Sequence, residues 1–449
     1  MNIRSFSNLL NSNKINSSFL RSTAIYAFSD CLGRAISFIV LPLVSYYIVP
    51  EQLGIESNFG VLQGIVILLS GQVIINALPY YYYEEKKTDI ALFVTSMLFL
   101  VTCLCFIFTL ISLLINPVIE KYLHLNLALQ LLVFVSVTSN LLVNASQQLF
   151  RLEERPIKFA IFQISYILIY IPLMIYLVVS CRMQALGKIY SNVIAISLIG
   201  IVHGISLWKR GYLTLRVDFK IIRKLLNFGI PLLPHSLSFW IKSGVDKILL
   251  TTYCGLSANG IYSMAMTFGA VYSIFNTAFF NTYIPYLQKR ISNITEENRE
   301  TENQSIVVQS YKICVLFLVV CILAIVLSWL AIKYLLNKDY MPSLEYLPWI
   351  FASLTIYSFY NIVIQYPYTI KKTRWLGVIT FSGSCIQALL AWLFVLLFGA
   401  DGIKYSLVLG SLIIMVGVWW YSNKVYPMPW FDVIKNRKNE YLNNSSRGW

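Results

Sequence analysis

Charge is scarce in this chain, and negative charge scarcer still. Of 449 residues only 12% are Asp, Glu, Lys or Arg, with 20 acidic against 35 basic, where an average soluble domain is about 25% charged. Apolar types make up 57%. That excess excludes a soluble globular fold and points to a polytopic membrane protein. Histidine is nearly missing: there are three, and His203 and His235 stand isolated, so no metal-ligand spacing exists. No phosphate-binding glycine loop and no Ser-His-Asp order occurs. The eight cysteines form no disulfide or metal framework. Cys31, Cys314, Cys321 and Cys385 lie in apolar runs, and Cys103 and Cys105 form a C-x-C within another. Their expected role is that of small buried apolar residues. No resident cofactor is expected. A cleavable leader is missing too: the chain opens on polar sequence, and its first apolar run contains Asp30 and Arg34. That run is expected to stay as a span.

What is present is a series of long apolar runs, each near the 20 residues that cross a hydrocarbon core. They predict an all-α polytopic membrane protein of twelve transmembrane helices: 22–48, 55–82, 90–115, 125–150, 158–180, 184–208, 227–254, 259–287, 305–336, 342–368, 375–398 and 402–424. Barrel strands need only about 10 residues and alternate in polarity, so a β-barrel is excluded. Orientation follows from the loops. With the N-terminus inside, 25 Lys and Arg fall on the inner side and 6 on the outer. Both termini are therefore expected in the cytoplasm. The same asymmetry accounts for the net charge of +15 without nucleic acid, so none is expected as a partner. The predicted layout is a cytoplasmic segment 1–21, a lobe 22–208, a cytoplasmic linker 209–226, a second lobe 227–424 and a cytoplasmic tail 425–449.

An internal repeat supports two lobes. At an offset of 206 residues, Tyr47, Gly54, Ile55 and Ser57 match Tyr253, Gly260, Ile261 and Ser263, and Pro79-Tyr80 falls on Pro285-Tyr286. At a slightly longer offset, Asn140 and Asn144 fall on Asn361 and Gln365. Each half has six helices, an even number, so the halves share one orientation. Two lobes facing a central cavity are expected.

Charges inside the spans are few. Asp30 and Arg34 share a face of the first helix, and Lys242 and Asp246 share one on the seventh, with Lys247 beside them. These residues read either as neutralising ion pairs or as groups facing a cavity. Cations outnumber anions, and a cation facing lipid costs about 3 kcal/mol, which favours the cavity for Arg34, Lys242 and Lys247. Asn140, Asn144, Asn361 and Gln365 read either as interhelical hydrogen-bonding groups or as the lining of a path for sugar hydroxyls. Prolines 42, 79, 172, 231, 234, 285 and 367 lie within or at the ends of spans, where each can kink a helix.

Three stretches carry a family resemblance. LPLVSYYIVPEQLGIES (Leu41–Ser57) resembles the turn from the first span into the second of bacterial polysaccharide (O-antigen) flippases, in the multidrug/oligosaccharidyl-lipid/polysaccharide exporter superfamily. The stretch from Phe228 to Arg290, with its Pro-x-x-Pro-His-Ser opening and Asp246-Lys247, resembles their spans seven and eight. KKTRW (Lys371–Trp375) resembles the basic turn before span eleven. The resemblance implies a non-enzymatic carrier in the bacterial cytoplasmic (inner) membrane. It implies an undecaprenyl-diphosphate-linked oligosaccharide as substrate, moved to the outer leaflet for lipopolysaccharide or other surface polysaccharide. Membrane lipids, a polysaccharide polymerase and a chain-length regulator are the implied partners. The diphosphate would meet Arg34, Lys242 or Lys247, and the sugars would meet amides and aromatics. Asp30 and Asp246 would tune those cations or couple transport to a proton or sodium gradient, two alternatives the residues leave open. A cation-coupled drug exporter of the same superfamily would call for a carboxylate-dominated cavity. A membrane polymerase would call for a sizeable outer loop.

Overall fold

The computed structural model describes residues 40–83 and 87–432, with Ile25, Tyr26, Phe28, Ser29, Leu32 and Phe38 ahead of them, and gives side chains in the second stretch from Ile90 onward. Asp30, Arg34 and other residues of the expected first span, and the tail beyond Asp432, lie outside the described residues. The described residues contain helices and no strand. The chain divides into two compact units, Met1–Leu233 and Pro234–Trp449.

In the first unit, α1 (Leu41–Tyr47) leads into α2 (Pro50–Ile67), where Pro50 takes a helix-opening position that needs no N–H donor. A π-helical turn, Leu68–Gln72, then interrupts the run. Gly71 sits there at φ 140°. A Cβ on it would come 2.5 Å from Val101 Cγ2, so only glycine fits both the backbone and the space. The break in this run falls on Gly71, ahead of Pro79, which opens the short helix Leu78–Tyr82. Next come α3 (Lys87–Leu114), α4 (Asn116–Leu123), α5 (Leu127–Leu152), α6 (Pro156–Ile175), α7 (Gln184–Lys209) and α8 (Phe219–Gly229). Asn126 caps α5 by accepting from the Leu129 amide at 3.0 Å. Pro172 lies inside α6, just before a second π-helical turn at Tyr176–Ser180. The first unit runs past the expected linker, because that segment is laced to α3: Thr214 N donates to Thr95 Oγ1 at 2.9 Å and Asp218 N to Ser96 Oγ at 3.0 Å.

The second unit comprises α9 (Leu233–Cys254), α10 (Leu256–Ser292), α11 (Arg299–Leu335), α12 (Leu347–Val363), α13 (Gln365–Thr369), α14 (Arg374–Phe398) and α15 (Gly402–Val425). Gly255 and Gly399, at φ 90° and 61°, end α9 and α14. Pro285 lies inside α10 without ending it.

Eight stretches of the described residues are long and apolar enough to cross a membrane, one of them, Arg374–Val425, containing both α14 and α15. α9 and α10 are not among the eight. α9 carries Lys242, Asp246 and Lys247 in its middle, and α10 carries Asn276 and Asn281 and ends on Lys289 and Arg290. Length and composition thus mark eight crossing stretches among the described residues, one of them holding two helices, and do not establish the expected count of twelve. The outward faces suit lipid. Ile322, Leu323 and Leu327 on α11 are 63%, 55% and 64% exposed, a patch water would not tolerate on a soluble surface.

Candidate functional site

In the first unit the site begins with the sequence of α5. Asn140, Asn144, Gln147 and Arg151 recur at helical spacing, so they share one face. α7 comes close to that helix because Gly200 opposes Ser139; a Cβ at Gly200 would lie 3.1 Å from Ser139 Cβ. This approach brings Asn192 of α7 to the same space, and α6 adds Gln163 and Tyr166. Together they line a cavity of about 530 Å³. One wall is apolar, built on Val143, Ile196 and Ile199 with Tyr166 and Ile169 packed against them.

The polar side chains are linked across helices. Asn144 Nδ2 donates to Gln72 Oε1 at 3.0 Å and to Asn140 Oδ1 at 2.9 Å. Gln147 Nε2 donates to Gln163 Oε1 at 3.1 Å, and the Tyr166 hydroxyl donates to Asn192 Oδ1 at 2.9 Å. Arg151, at the end of the row, lays its guanidinium 4.8 Å from the Phe159 ring centre. Carboxamides and a phenol both donate and accept, so the lining presents both halves of the hydrogen bond to a hydroxyl-rich ligand. No carboxylate stands among the described lining residues. Behind the cavity His203 is fully buried, bonds Ser146 Oγ through Nδ1 at 2.8 Å and stacks on Phe162 at 4.1 Å. It packs as a core residue.

In the second unit the charged row of α9 is split between different partners. Lys242 holds Nζ 5.2 Å from the centre of the Tyr357 ring, an attraction between a cation and a π-face. Tyr357 in turn stacks on Tyr360 at 5.2 Å. Asp246 is 1% exposed and accepts from the Tyr262 hydroxyl at 3.3 Å. Lys247 is half-buried and engaged in an interaction of its own. Asn361 and Gln365 join a cross-helix ladder. Asn361 Nδ2 donates to Asn276 Oδ1 at 3.4 Å, Asn276 Nδ2 to Ser358 Oγ at 2.6 Å, and Gln288 Nε2 to Gln365 Oε1 at 3.2 Å.

The structure therefore gathers Asn140 and Asn144 into one cavity, holds Lys242, Asp246 and Lys247 on one helix of the other unit, and ties Asn361 and Gln365 to α10. Gln147, Arg151, Gln163, Tyr166 and Asn192 join the first group without having been singled out by sequence. The continuing helical spacing after Asn144 was the available signal for Gln147 and Arg151. Tyr357 had none, because its pairing with Lys242 bridges two helices far apart in the chain.

Among solved structures, the lipid II flippase MurJ in an inward closed conformation superposes with a TM-score of 0.69 at 15% identity, covering 94% of this chain and 91% of that one. An inward-facing multidrug resistance MATE family transporter of the MOP superfamily gives 0.68 at 14%, covering 86% and 94%. A MOP superfamily transporter from Pyrococcus furiosus gives 0.53 at 13%, covering 90% and 95%. At such identities the likeness is one of fold. No curated protein sequence matches. The family model described as polysaccharide biosynthesis protein matches residues 19–291, more than half of the 449. The chain, a multi-pass membrane protein whose described residues are helical and have the fold of MOP-superfamily transporters, belongs to the polysaccharide biosynthesis protein family.

Proposed function

We propose that the protein is a flippase that moves an undecaprenyl-diphosphate-linked oligosaccharide, an O-antigen or capsule-type repeat unit, across the bacterial inner membrane by alternating access, with both termini in the cytoplasm. The observation that carries this reading is the amide-lined cavity of the first unit. Six neutral hydrogen-bonding side chains surround a space of about 530 Å³ inside a bundle whose outer face is apolar. Polar groups in such surroundings are costly unless hydrogen-bonded, and these bond one another across helices while bordering an open space that a polar cargo can fill. Sugar hydroxyls match amides and tyrosine, and the apolar wall suits the flat faces of pyranose rings.

The cargo's two other parts also have counterparts. Its diphosphate calls for cations, and Arg151 at the end of the amide row and Lys242 on α9 are the described candidates, with Lys247 nearby and Arg34 beyond the described residues. Its polyprenyl tail is compatible with lipid along the apolar outer faces. A cation-coupled drug exporter of the same superfamily fits less well, since the described lining of the first-unit cavity holds a guanidinium and no carboxylate. Asp246, with Asp30 beyond the described residues, remains a candidate for tuning those cations or for coupling to a proton or sodium gradient.

The test is complementation. In cells lacking the gene, surface polysaccharide should be restored by the wild-type protein and lost with the paired change Asn144→Leu and Gln147→Leu at normal membrane abundance. Full restoration by that variant would remove the cavity from the transport path.

A further inference from the structure

A second polar cavity lies apart from the amide row. The segment after α7 reads WKRGYLTLRVD (Trp208–Asp218). Gly211, at φ 77°, turns the chain out of the helix, and the bonds from Thr214 and Asp218 to α3 fix an otherwise irregular loop. Arg210 is held between two rings, 4.3 Å from the centre of Phe150 and 4.9 Å from that of Tyr212. Its Nη2 meets Glu153 Oε1 at 2.5 Å, and the Tyr212 hydroxyl donates to the same oxygen at 2.5 Å. Arg155 Nε stands 3.1 Å from the other oxygen, Oε2.

Glu153 remains a carboxylate here. Burial works to raise its pKa, but the donors Tyr212 and Arg210 and the charges of Arg210 and Arg155 prevail and lower it. Glu153 Oε2 has the Arg155 charge beside it but no hydrogen bond of its own, so the cluster's bonding is incomplete on both sides. Arg210 keeps Nε and Nη1 buried with no hydrogen-bond partner, whereas buried polar groups are ordinarily bonded. Arg210 lines an open pocket of about 1100 Å³ together with Arg155, Arg216, Thr214, Tyr82 and Glu153. Three guanidinium groups face one carboxylate, so a cation or a neutral apolar ligand is disfavoured and an anion favoured. Planar guanidinium forks match the oxygens of phosphate closely.

We propose that this pocket is a binding site for a phosphate-bearing anion, distinct from the amide cavity. Its ligand is either the headgroup of an anionic phospholipid or a soluble diphosphate. Tyr82 at its rim, next to the exposed Tyr83, is the residue type that settles at headgroup level. The lining segment is itself basic, with Lys209, Arg210 and Arg216 in sequence, and basic segments attract anionic lipid. The proposal stands whatever the first-unit amide cavity carries.

Two arms separate the sources. The full chain in detergent is titrated with inorganic pyrophosphate by calorimetry. It is also equilibrated with phosphatidylglycerol or phosphatidylcholine vesicles, and the retained lipid is counted by native mass spectrometry. Pyrophosphate binding identifies a soluble ligand, and selective retention of phosphatidylglycerol identifies a lipid headgroup; either supports the site. In both arms Arg155→Gln with Arg216→Gln should weaken binding about tenfold or more, the loss expected for charge-assisted bonds. Glu153→Gln should bind at least as tightly as wild type, and Lys121→Gln, at an exposed residue that does not line the pocket, should leave binding unchanged. Arg216→Gln alone, at an exposed residue outside the ring sandwich, serves if the double variant does not fold. Failure of the wild-type protein to bind either probe, or undiminished binding by the arginine variants, would overturn the proposal.

Discussion

Asn144 of α5 donates its amide to Gln72, at the end of the π-helical turn after α2, across 3.0 Å. The bond joins the row of amides lining the first-unit cavity to the helix break at Gly71. Cavity and break thus belong to one hydrogen-bonded piece of structure.

Asn144→Leu removes that bond and the one to Asn140. Interhelical hydrogen bonds in membranes average about 0.6 kcal/mol, so the folded protein should lose only about 1 kcal/mol of stability. Export of polysaccharide should fall about tenfold or more, and Asn144→Gln should keep part of it. Melting in detergent, set beside surface polysaccharide at matched membrane abundance, checks the pair of effects. A stability loss that accounts for the whole loss of export would leave Asn144 a purely structural role.

Gly71→Ala should destabilise the first unit by about 1–3 kcal/mol, from the backbone conformation and from the contact with Val101. Adding Val101→Ala should recover the steric share and not the backbone share. Thermal melting of the three proteins measures the split. A melting point for Gly71→Ala equal to wild type would contradict the strained turn.

Lys242→Met should abolish export while the protein inserts normally, and Lys242→Arg should retain much of it, since either cation stacks on Tyr357 and meets a phosphate. Lys247→Ala is expected to act in the same direction. Asp246→Asn should be mild if the carboxylate tempers neighbouring charge, and as severe as Lys247→Ala if it carries a coupled ion. Surface polysaccharide against membrane abundance again decides. Full export by both lysine variants would remove α9's cations from the mechanism.

Glu153 predicts a pH dependence. Its pKa in the folded protein is lowered, with burial opposing and the donors Tyr212 and Arg210 prevailing. A depressed carboxylate contributes stability above its unfolded pKa of about 4.3, and that contribution is lost as pH falls through the folded value. Wild type should therefore melt above Glu153→Gln at pH 7, and the gap should narrow as the pH is lowered below about 4. A gap constant down to pH 3 would contradict the assignment.

Much of the fold and part of the site were legible in the sequence for separable reasons. Apolar runs near 20 residues marked the helices well, because the hydrocarbon core sets their length. They also placed α9 and α10, expected at 227–254 and 259–287, although residues such as Lys242 and Asn276 keep these two helices less apolar than the other spans. The pair Asn140 and Asn144 stood out as amides in an apolar run. Gln147 and Arg151 continue their stripe, but Arg151 also belongs to a basic turn, and its charge drew it into the loop count. Gln163, Tyr166 and Asn192 sit on other helices, and no local pattern records that α5 and α7 approach at Gly200. Gly71 was silent too, because a left-handed glycine inside a helix looks like any other glycine until its neighbour Val101 is in place.

The most direct test is translocation itself. Purified protein is reconstituted into liposomes holding a short-chain polyprenyl-diphosphate oligosaccharide, and the share of glycan reached by an added glycosidase is followed in time. The account predicts faster access than in empty liposomes, with the increase lost for Lys242→Met and for the paired change Asn144→Leu and Gln147→Leu. Access no faster than in empty liposomes, together with uptake of a cationic dye driven by a proton or sodium gradient, would contradict the flippase and favour a drug exporter.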